Sequence, residues 1–167
     1  MEKEIIYTFI DNQNLNLGVL ELGWKLDYQR FYIYLKEKYK SNKMFLFIGF
    51  IEKNKNLYEY LKNIGYILVF KNILINNNGK IKGNVDSLMI LNIMIYFNIY
   101  NKCIVVTGDG DFDCIVKYLI SNNKFYKLII PNRKKLSMLL KTVTPNKFLI
   151  FLNDCKFLEN KNTTTKS

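Results

Sequence analysis

Histidine is absent from this sequence, and its absence excludes several kinds of catalytic site. Histidine is a usual zinc ligand, the base of Ser–His catalytic pairs and the commonest general acid or base. The three cysteines, Cys103, Cys114 and Cys155, are odd in number and widely spaced, so they resemble neither a disulfide framework nor a zinc site. Catalysis would therefore rest on carboxylates, lysines, hydroxyls or metal ions that these groups hold.

The sequence also lacks a long hydrophobic run. Its longest, LMILNIMIYFNIY, is interrupted by Asn92 and Asn98 and is shorter than the roughly 20 residues that a membrane span needs, so we interpret it as a buried helix. The N-terminal stretch IIYTFI is too short for a signal peptide and runs directly into Asp11. We therefore expect a cytoplasmic protein without a membrane partner.

Negative charge is scarce, with 14 acidic against 25 basic residues and a formal net charge of +11. Such an excess of positive charge suits a polyanionic partner such as nucleic acid. Only Arg30 and Arg133 are arginines, and the chain is crowded with Asn, Ile and Lys, as a biased codon pool would produce. A solvated, lysine-rich surface is thus an equal alternative.

Short apolar runs alternate with amphipathic stretches along the whole chain, which predicts an α/β fold with a parallel sheet and helices on both faces. We expect one domain over residues 1–155 and a short polar tail over 156–167. The Asn-Gly pair within 73–83 indicates a small hairpin. The predicted strands are 5–10, 44–50, 66–71, 103–107, 126–130 and 148–152, and the predicted helices are 27–39, 54–64, 86–99, 111–121 and 133–142.

Four aspartates fall where the loops at one edge of this predicted sheet converge. Asp11 follows the first strand, Asp109 and Asp111 follow the strand at 103–107, and Asp86 opens the helix before it. Clustered carboxylates repel unless a cation compensates, and Mg²⁺ and Mn²⁺ prefer oxygen ligands. Each aspartate alone is also explained as a helix N-cap or an Asx-turn, so the metal site is predicted from their joint placement.

Three motifs, FIDNQNL, KIKGNVDSLMI and VVTGDGDF, occur in this order, and together they resemble the NYN domain, in the LabA-like branch of the PIN-like nuclease superfamily. The resemblance covers most of residues 4–155. It implies a Rossmann-like three-layer α/β/α sandwich with a central, mainly parallel sheet. It also implies acidic residues that bind Mg²⁺ or Mn²⁺ and cleave RNA, and it allows a homodimer.

The resemblance assigns roles to seven residues of this sequence. The catalytic and metal-binding residues it implies are Asp11, Asp86, Asp109 and Asp111, and the substrate-binding residues are Asn14, Lys82 and Thr107. Many relatives carry a further acid in the long helix where this sequence has Asn92. This departure weakens the case for two tightly held ions.

We therefore expect a metal-dependent ribonuclease in which a carboxylate-held ion activates water to attack the scissile phosphate in line. A non-catalytic RNA-binding or regulatory NYN module is the alternative that Asn92 keeps open. A phosphatase of the haloacid dehalogenase superfamily fits less well. Its general acid stands two positions after the nucleophilic aspartate and is followed closely by Thr, where this sequence has Gln13 and Asn14.

Overall fold

The computed structural model describes residues 4–71, 74–75, 81–82 and 85–161. Eight strands and six α-helices lie in this described part. The strands are β1 (Ile6–Asp11), β2 (Lys43–Gly49), β3 (Ile67–Lys71), β4 (Leu74–Ile75), β5 (Ile81–Lys82), β6 (Lys102–Val106), β7 (Phe125–Ile130) and β8 (Leu149–Phe151). The helices are α1 (Asn12–Leu20), α2 (Tyr28–Lys38), α3 (Lys55–Ile64), α4 (Val85–Ile95), α5 (Asp113–Ser121) and α6 (Met138–Val143).

Six strands form one fully parallel sheet in the order β3-β2-β1-β6-β7-β8. The order runs one way from β1 to β3 and the other way from β6 to β8, so the chain reverses between β1 and β6. The register between β1 and β6 pairs Ile10 with Val106. The predicted α/β sandwich with a central parallel sheet is confirmed. At such a reversal the loops after the two strands separate and leave a crevice.

The sheet is held by a core on each of its faces. All six residues of β1 are buried, and they alternate between the two cores: Ile6 and Ile10 pack on one side, Tyr7 and Phe9 on the other. This alternation is the period of two that an extended strand imposes. Because both faces are covered, β1 is a mostly apolar run interrupted by Thr8 before it ends at Asp11, and such a run predicts a buried strand.

The helices differ from prediction in three places. Helix α1 was not predicted. The predicted helix at 133–142 begins only at Met138, because Asn132 caps a 3₁₀ turn at Arg133–Lys135 and Ser137 caps α6 through the backbone N–H of Leu139. The predicted helix at 86–99 ends as an α-helix at Ile95, and a turn follows.

The predicted hairpin is present as the antiparallel pair β4–β5, and its turn lies outside the described residues. Leu158 is buried in the core beside α2, so the chain after residue 155 continues to pack, and the domain boundary there stays a prediction. Cys103, Cys114 and Cys155 are all free thiols. No helix within the described ranges is both long and apolar enough to cross a membrane.

Candidate metal centre

Asp11 ends the first strand and caps the first helix. Its carboxylate accepts the backbone N–H of Asn14 at 3.2 Å, and this bond turns the chain from β1 into α1. The other carboxylate oxygen accepts the hydroxyl of Thr107 at 3.2 Å. Asp11 is 5 % exposed, so its charge lies almost out of water.

Thr107 joins the end of β6 to the end of β1. The residue is fully buried, donates its hydroxyl hydrogen to Asp11 and accepts the backbone N–H of Asp109 at 3.2 Å. Asn14 adds a second link, because its side-chain oxygen accepts the N–H of Gly108 at 2.8 Å. The two acidic loops are therefore fixed to each other by side chains that bear no charge.

Asp86, Asp109 and Asp111 form a carboxylate cluster. One oxygen from each lies within 4.8 Å of the others. Asp86 comes from the first turn of α4, and the other two come from the loop after β6, where Asp109 accepts the N–H of Asp111 at 3.1 Å. Three converging oxygen donors suit a hard divalent cation, so these residues fit the ion that the sequence predicts. Asp11 lines the same cleft as this cluster.

Burial and repulsion between negative charges raise the pKa of two of these carboxyls, those of Asp11 and Asp86. For Asp11, burial raises the pKa from an ordinary 3.8 to about 6, despite the hydrogen bond from Asn14. The charge of Asp86 also raises it. For Asp86, burial again raises the pKa, followed by the charges of Asp109 and Asp111, whereas Lys71 lowers it. A bound cation would relieve this repulsion.

The cleft that contains these carboxylates has a volume of about 710 Å³. Helix α1 contributes Asn14, Leu17 and Gly18, and its C-cap Glu21 follows at the i+7 position from Asn14, so one helical face forms a wall. Lys135 stands at the cleft and pairs with Glu21 at 3.2 Å. The remaining lining residues are Asp11, Gln13, Val85, Asp86, Gly108, Asp109, Gly110, Asp111, Ser137 and Leu139.

Two glycines let the acidic loop lie directly against the segment before α6. A Cβ on Gly108 would come within 3.0 Å of the backbone oxygen of Lys135, and a Cβ on Gly110 within 2.5 Å of the Ser137 hydroxyl. The N–H of Ser137 also donates to the carbonyl of Gly108 at 3.0 Å. The GDGD pattern of the sequence thus places carboxylates and close backbone contacts at alternating positions.

The described lining of the cleft does not include two residues discussed from the sequence, Lys82 and Asn92. The side chain of Lys82 lies outside the described residues. Asn92 donates its amide to the carbonyl of Leu88 at 2.9 Å and is not a lining residue of the cleft. The next aspartate along the chain, Asp113, accepts the N–H of Cys114 at the start of α5 and also lies outside the lining. Sequence reasoning missed Glu21 and Leu17, because it missed α1.

The chain was then compared with known proteins. The model of the family described as "NYN domain" matches residues 5–151, which is most of the chain. The chain belongs to the NYN domain family. Among curated proteins no match was found.

One solved structure resembles this NYN domain at the level of the fold, and two others match it with lower scores. A protein of unknown function from Vibrio parahaemolyticus, VPA0982, is 20 % identical with a TM-score of 0.74, covering 92 % of this chain and 98 % of that one. The zinc-bound 5′-exonuclease of bacteriophage T5 is 13 % identical (TM-score 0.48, covering 81 % and 57 %). The T5 D15 flap endonuclease, in a pseudo-enzyme–product complex with DNA and metal ions, is 12 % identical (TM-score 0.49, covering 79 % and 56 %).

Proposed function

We propose that this NYN domain is a nuclease that hydrolyses RNA phosphodiester bonds with Mg²⁺ or Mn²⁺. The observation that carries the proposal is the convergence of Asp86, Asp109 and Asp111 within 4.8 Å at the chain reversal of the sheet. The charges of Asp109 and Asp111 add to burial in raising the pKa of Asp86, and a bound cation would offset this repulsion.

In this proposal Asp86, Asp109 and Asp111 hold the ion. When bound, such an ion supplies an acidified water and stabilises the charge that develops on phosphorus oxygens. Asp11 lies beside the cluster, and its hydrogen bond from Thr107 keeps its position fixed relative to Asp109. Each of these groups is set before substrate arrives, so little reorganisation is needed during reaction.

Lys135 is the cationic side chain that lines the cleft in the described structure. Its ammonium group lies 3.2 Å from a carboxylate oxygen of Glu21, and both side chains remain about half exposed to solvent. We propose that Lys135 contacts a substrate phosphate adjacent to the scissile one, and that Asn14 and Lys82 keep the substrate-binding roles that the family resemblance implies. Thr107 is fully buried, so we propose that it acts through its hydrogen bonds to Asp11 and Asp109 rather than by touching the substrate. The charge of Lys71 lowers the pKa of Asp86, so Lys71 adds positive potential near the cluster.

The test is cleavage of end-labelled RNA by the purified protein in Mn²⁺, in Mg²⁺ or in EDTA. Asp109→Asn removes one ligand of the cluster and is expected to abolish cleavage. Asp113→Asn is the matched control, since Asp113 is four residues away and outside the cleft. RNA that stays intact with both metals while remaining bound would replace this proposal with the alternative of an RNA-binding or regulatory module. Running the same assay on DNA defines the substrate class.

Three expectations from the sequence go beyond membership of the NYN domain family: the LabA-like branch, the cytoplasmic location and the homodimer. We propose membership of the LabA-like branch on the three sequence motifs given above. The cytoplasmic location and the homodimer stay predictions, which fractionation of cells and sedimentation of the purified protein test.

A further inference from the structure

Two exposed leucines line the same cleft as the carboxylates. Leu17 is 51 % and Leu139 is 58 % exposed, and both border the cleft rather than the core. A single exposed leucine carries no information, because much of any protein surface is apolar. This pair differs from a scattered surface leucine because both side chains lie in the cleft that contains the acidic loop.

Leu139 lies directly against the acidic loop. One of its methyl carbons, Cδ1, is 3.4 Å from the point that a Cβ on Gly110 would occupy, between Asp109 and Asp111. The backbone N–H of Leu139 donates to the hydroxyl of Ser137, and this cap fixes the start of α6. The apolar side chain is thereby held beside the carboxylate cluster.

Leu17 lies on the wall formed by α1. It follows Asn14 by three residues and precedes Glu21 by four, so the three side chains share one face of the helix. Asn14 is bonded to the acidic loop through Gly108, and Glu21 is paired with Lys135. Leu17 is therefore an apolar residue between two polar contacts that tie α1 to the rest of the cleft.

We propose that Leu17 and Leu139 form a base-contacting subsite, whose ligand is the exposed face of an unpaired nucleobase. This inference rests on the proposed function, because it takes the carboxylate cluster and Lys135 as the positions of phosphates. A strand whose backbone follows those charged groups carries its bases on the sugars, beside the two leucines. Apolar side chains contact base faces that are unstacked, and stacked bases of a duplex do not offer them.

The subsite makes affinity depend on bases in a way that charge alone does not. Contacts to phosphates act equally on a strand with or without bases, whereas the leucines act only where a base face is present. A labelled oligouridine and an abasic oligomer of the same length and backbone therefore separate the two contributions.

The test is the dissociation constant of each oligomer by fluorescence anisotropy in Ca²⁺, which takes carboxylate ligands as Mg²⁺ does, and a gel run after each measurement verifies that the probe is intact. We expect Leu17→Ala and Leu139→Ala each to weaken oligouridine binding about fivefold, with less than about a twofold effect on the abasic oligomer. Leu91→Ala is the matched control, because Leu91 is 55 % exposed on α4 and lies outside the cleft. Circular dichroism verifies that each variant is folded.

Equal effects on the two oligomers, no effect on either, or no binding of oligouridine by the unsubstituted protein would each overturn the subsite. The first two outcomes leave the cleavage assay unaffected, so they do not touch the proposed nuclease. Conversely, base-dependent binding that needs Leu17 and Leu139 without any metal-dependent cleavage supports the subsite and rejects the nuclease.

Discussion

At the scale of single residues, Asp11 combines burial with charge. Its pKa of about 6 in the folded chain lies above the ordinary 3.8, chiefly because of burial. Between these two values the folded protein binds more protons than the unfolded one, so the free energy of unfolding falls as pH rises through this window and stays lower above it. At neutral pH the full pKa shift of Asp11 lowers the free energy of unfolding by about 3 kcal/mol.

Asp11→Asn is therefore expected to stabilise the metal-free protein by about 1–2 kcal/mol at pH 8, after loss of one hydrogen bond is subtracted. The gain disappears near pH 4, where the native carboxyl is protonated. Urea unfolding in EDTA at both pH values measures it. Asp27→Asn provides the comparison, because Asp27 caps α2 with a side chain that is 19 % exposed and asparagine caps equally well. Equal stability of Asp11→Asn and the unsubstituted protein at pH 8 contradicts the expectation.

Thr107 affects the same carboxyl from the neighbouring strand. Its hydroxyl lowers the pKa of Asp11, so Thr107→Val is expected to raise that pKa further and leave the N–H of Asp109 without this acceptor. The pH above which Mn²⁺ stabilises the protein should then move upward. Thermal unfolding with and without Mn²⁺ across pH 5–9 shows the midpoint, and Thr107→Ser should restore it. An unchanged midpoint in Thr107→Val rules out this coupling.

At the scale of elements, buried strands were predictable and the first helix was not. Strands covered on both faces read as mostly apolar runs, as β1 and β6 do. Helix α1 has the sequence NQNLNLGVL, which combines three asparagines of low helix propensity with a glycine. Its helical state comes from the cap by Asp11 and from packing, because Gly18 lies against Pro131. Long-range packing of this kind cannot be read from local spacing.

Gly18→Ala tests that packing, since the two possible effects have opposite signs. In an exposed helix the substitution stabilises by about 1 kcal/mol. Here the new Cβ would come within 2.6 Å of the Pro131 Cβ, so we expect a loss of about 1–3 kcal/mol instead. Chemical unfolding measures the sign, and Asn16→Ala on the same helix should be neutral or slightly stabilising. A stabilised Gly18→Ala protein would show that α1 packs less closely than described.

At the scale of the whole molecule, topology creates the carboxylate cluster. Asp86 and Asp109 are far apart in sequence and meet because the strand order reverses between β1 and β6. The sequence was sufficient to predict this edge of the sheet, since each aspartate directly follows or precedes a predicted element. The sequence was insufficient to show that Asp86, Asp109 and Asp111 form a close cluster, whereas Asp11 is buried and its carboxylate is hydrogen-bonded. That division depends on side-chain distances within the loop.

A protein of net charge +11 should bind cations poorly in general, so ion binding at this centre has to come from the local field of its carboxylates. Removing one of these carboxylates should therefore change the stability of the protein in opposite directions with and without the ion. In EDTA, Asp109→Asn is expected to raise the melting temperature, because it relieves repulsion with Asp86. In Mn²⁺ the unsubstituted protein should gain stability that Asp109→Asn lacks, so its melting temperature should become the higher of the two.

Differential scanning fluorimetry measures the melting temperatures in EDTA and in Mn²⁺, with Asp113→Asn as the control that should behave as the unsubstituted protein does. If Mn²⁺ raised the melting temperature of all three proteins equally, the ion would be binding somewhere other than the cluster.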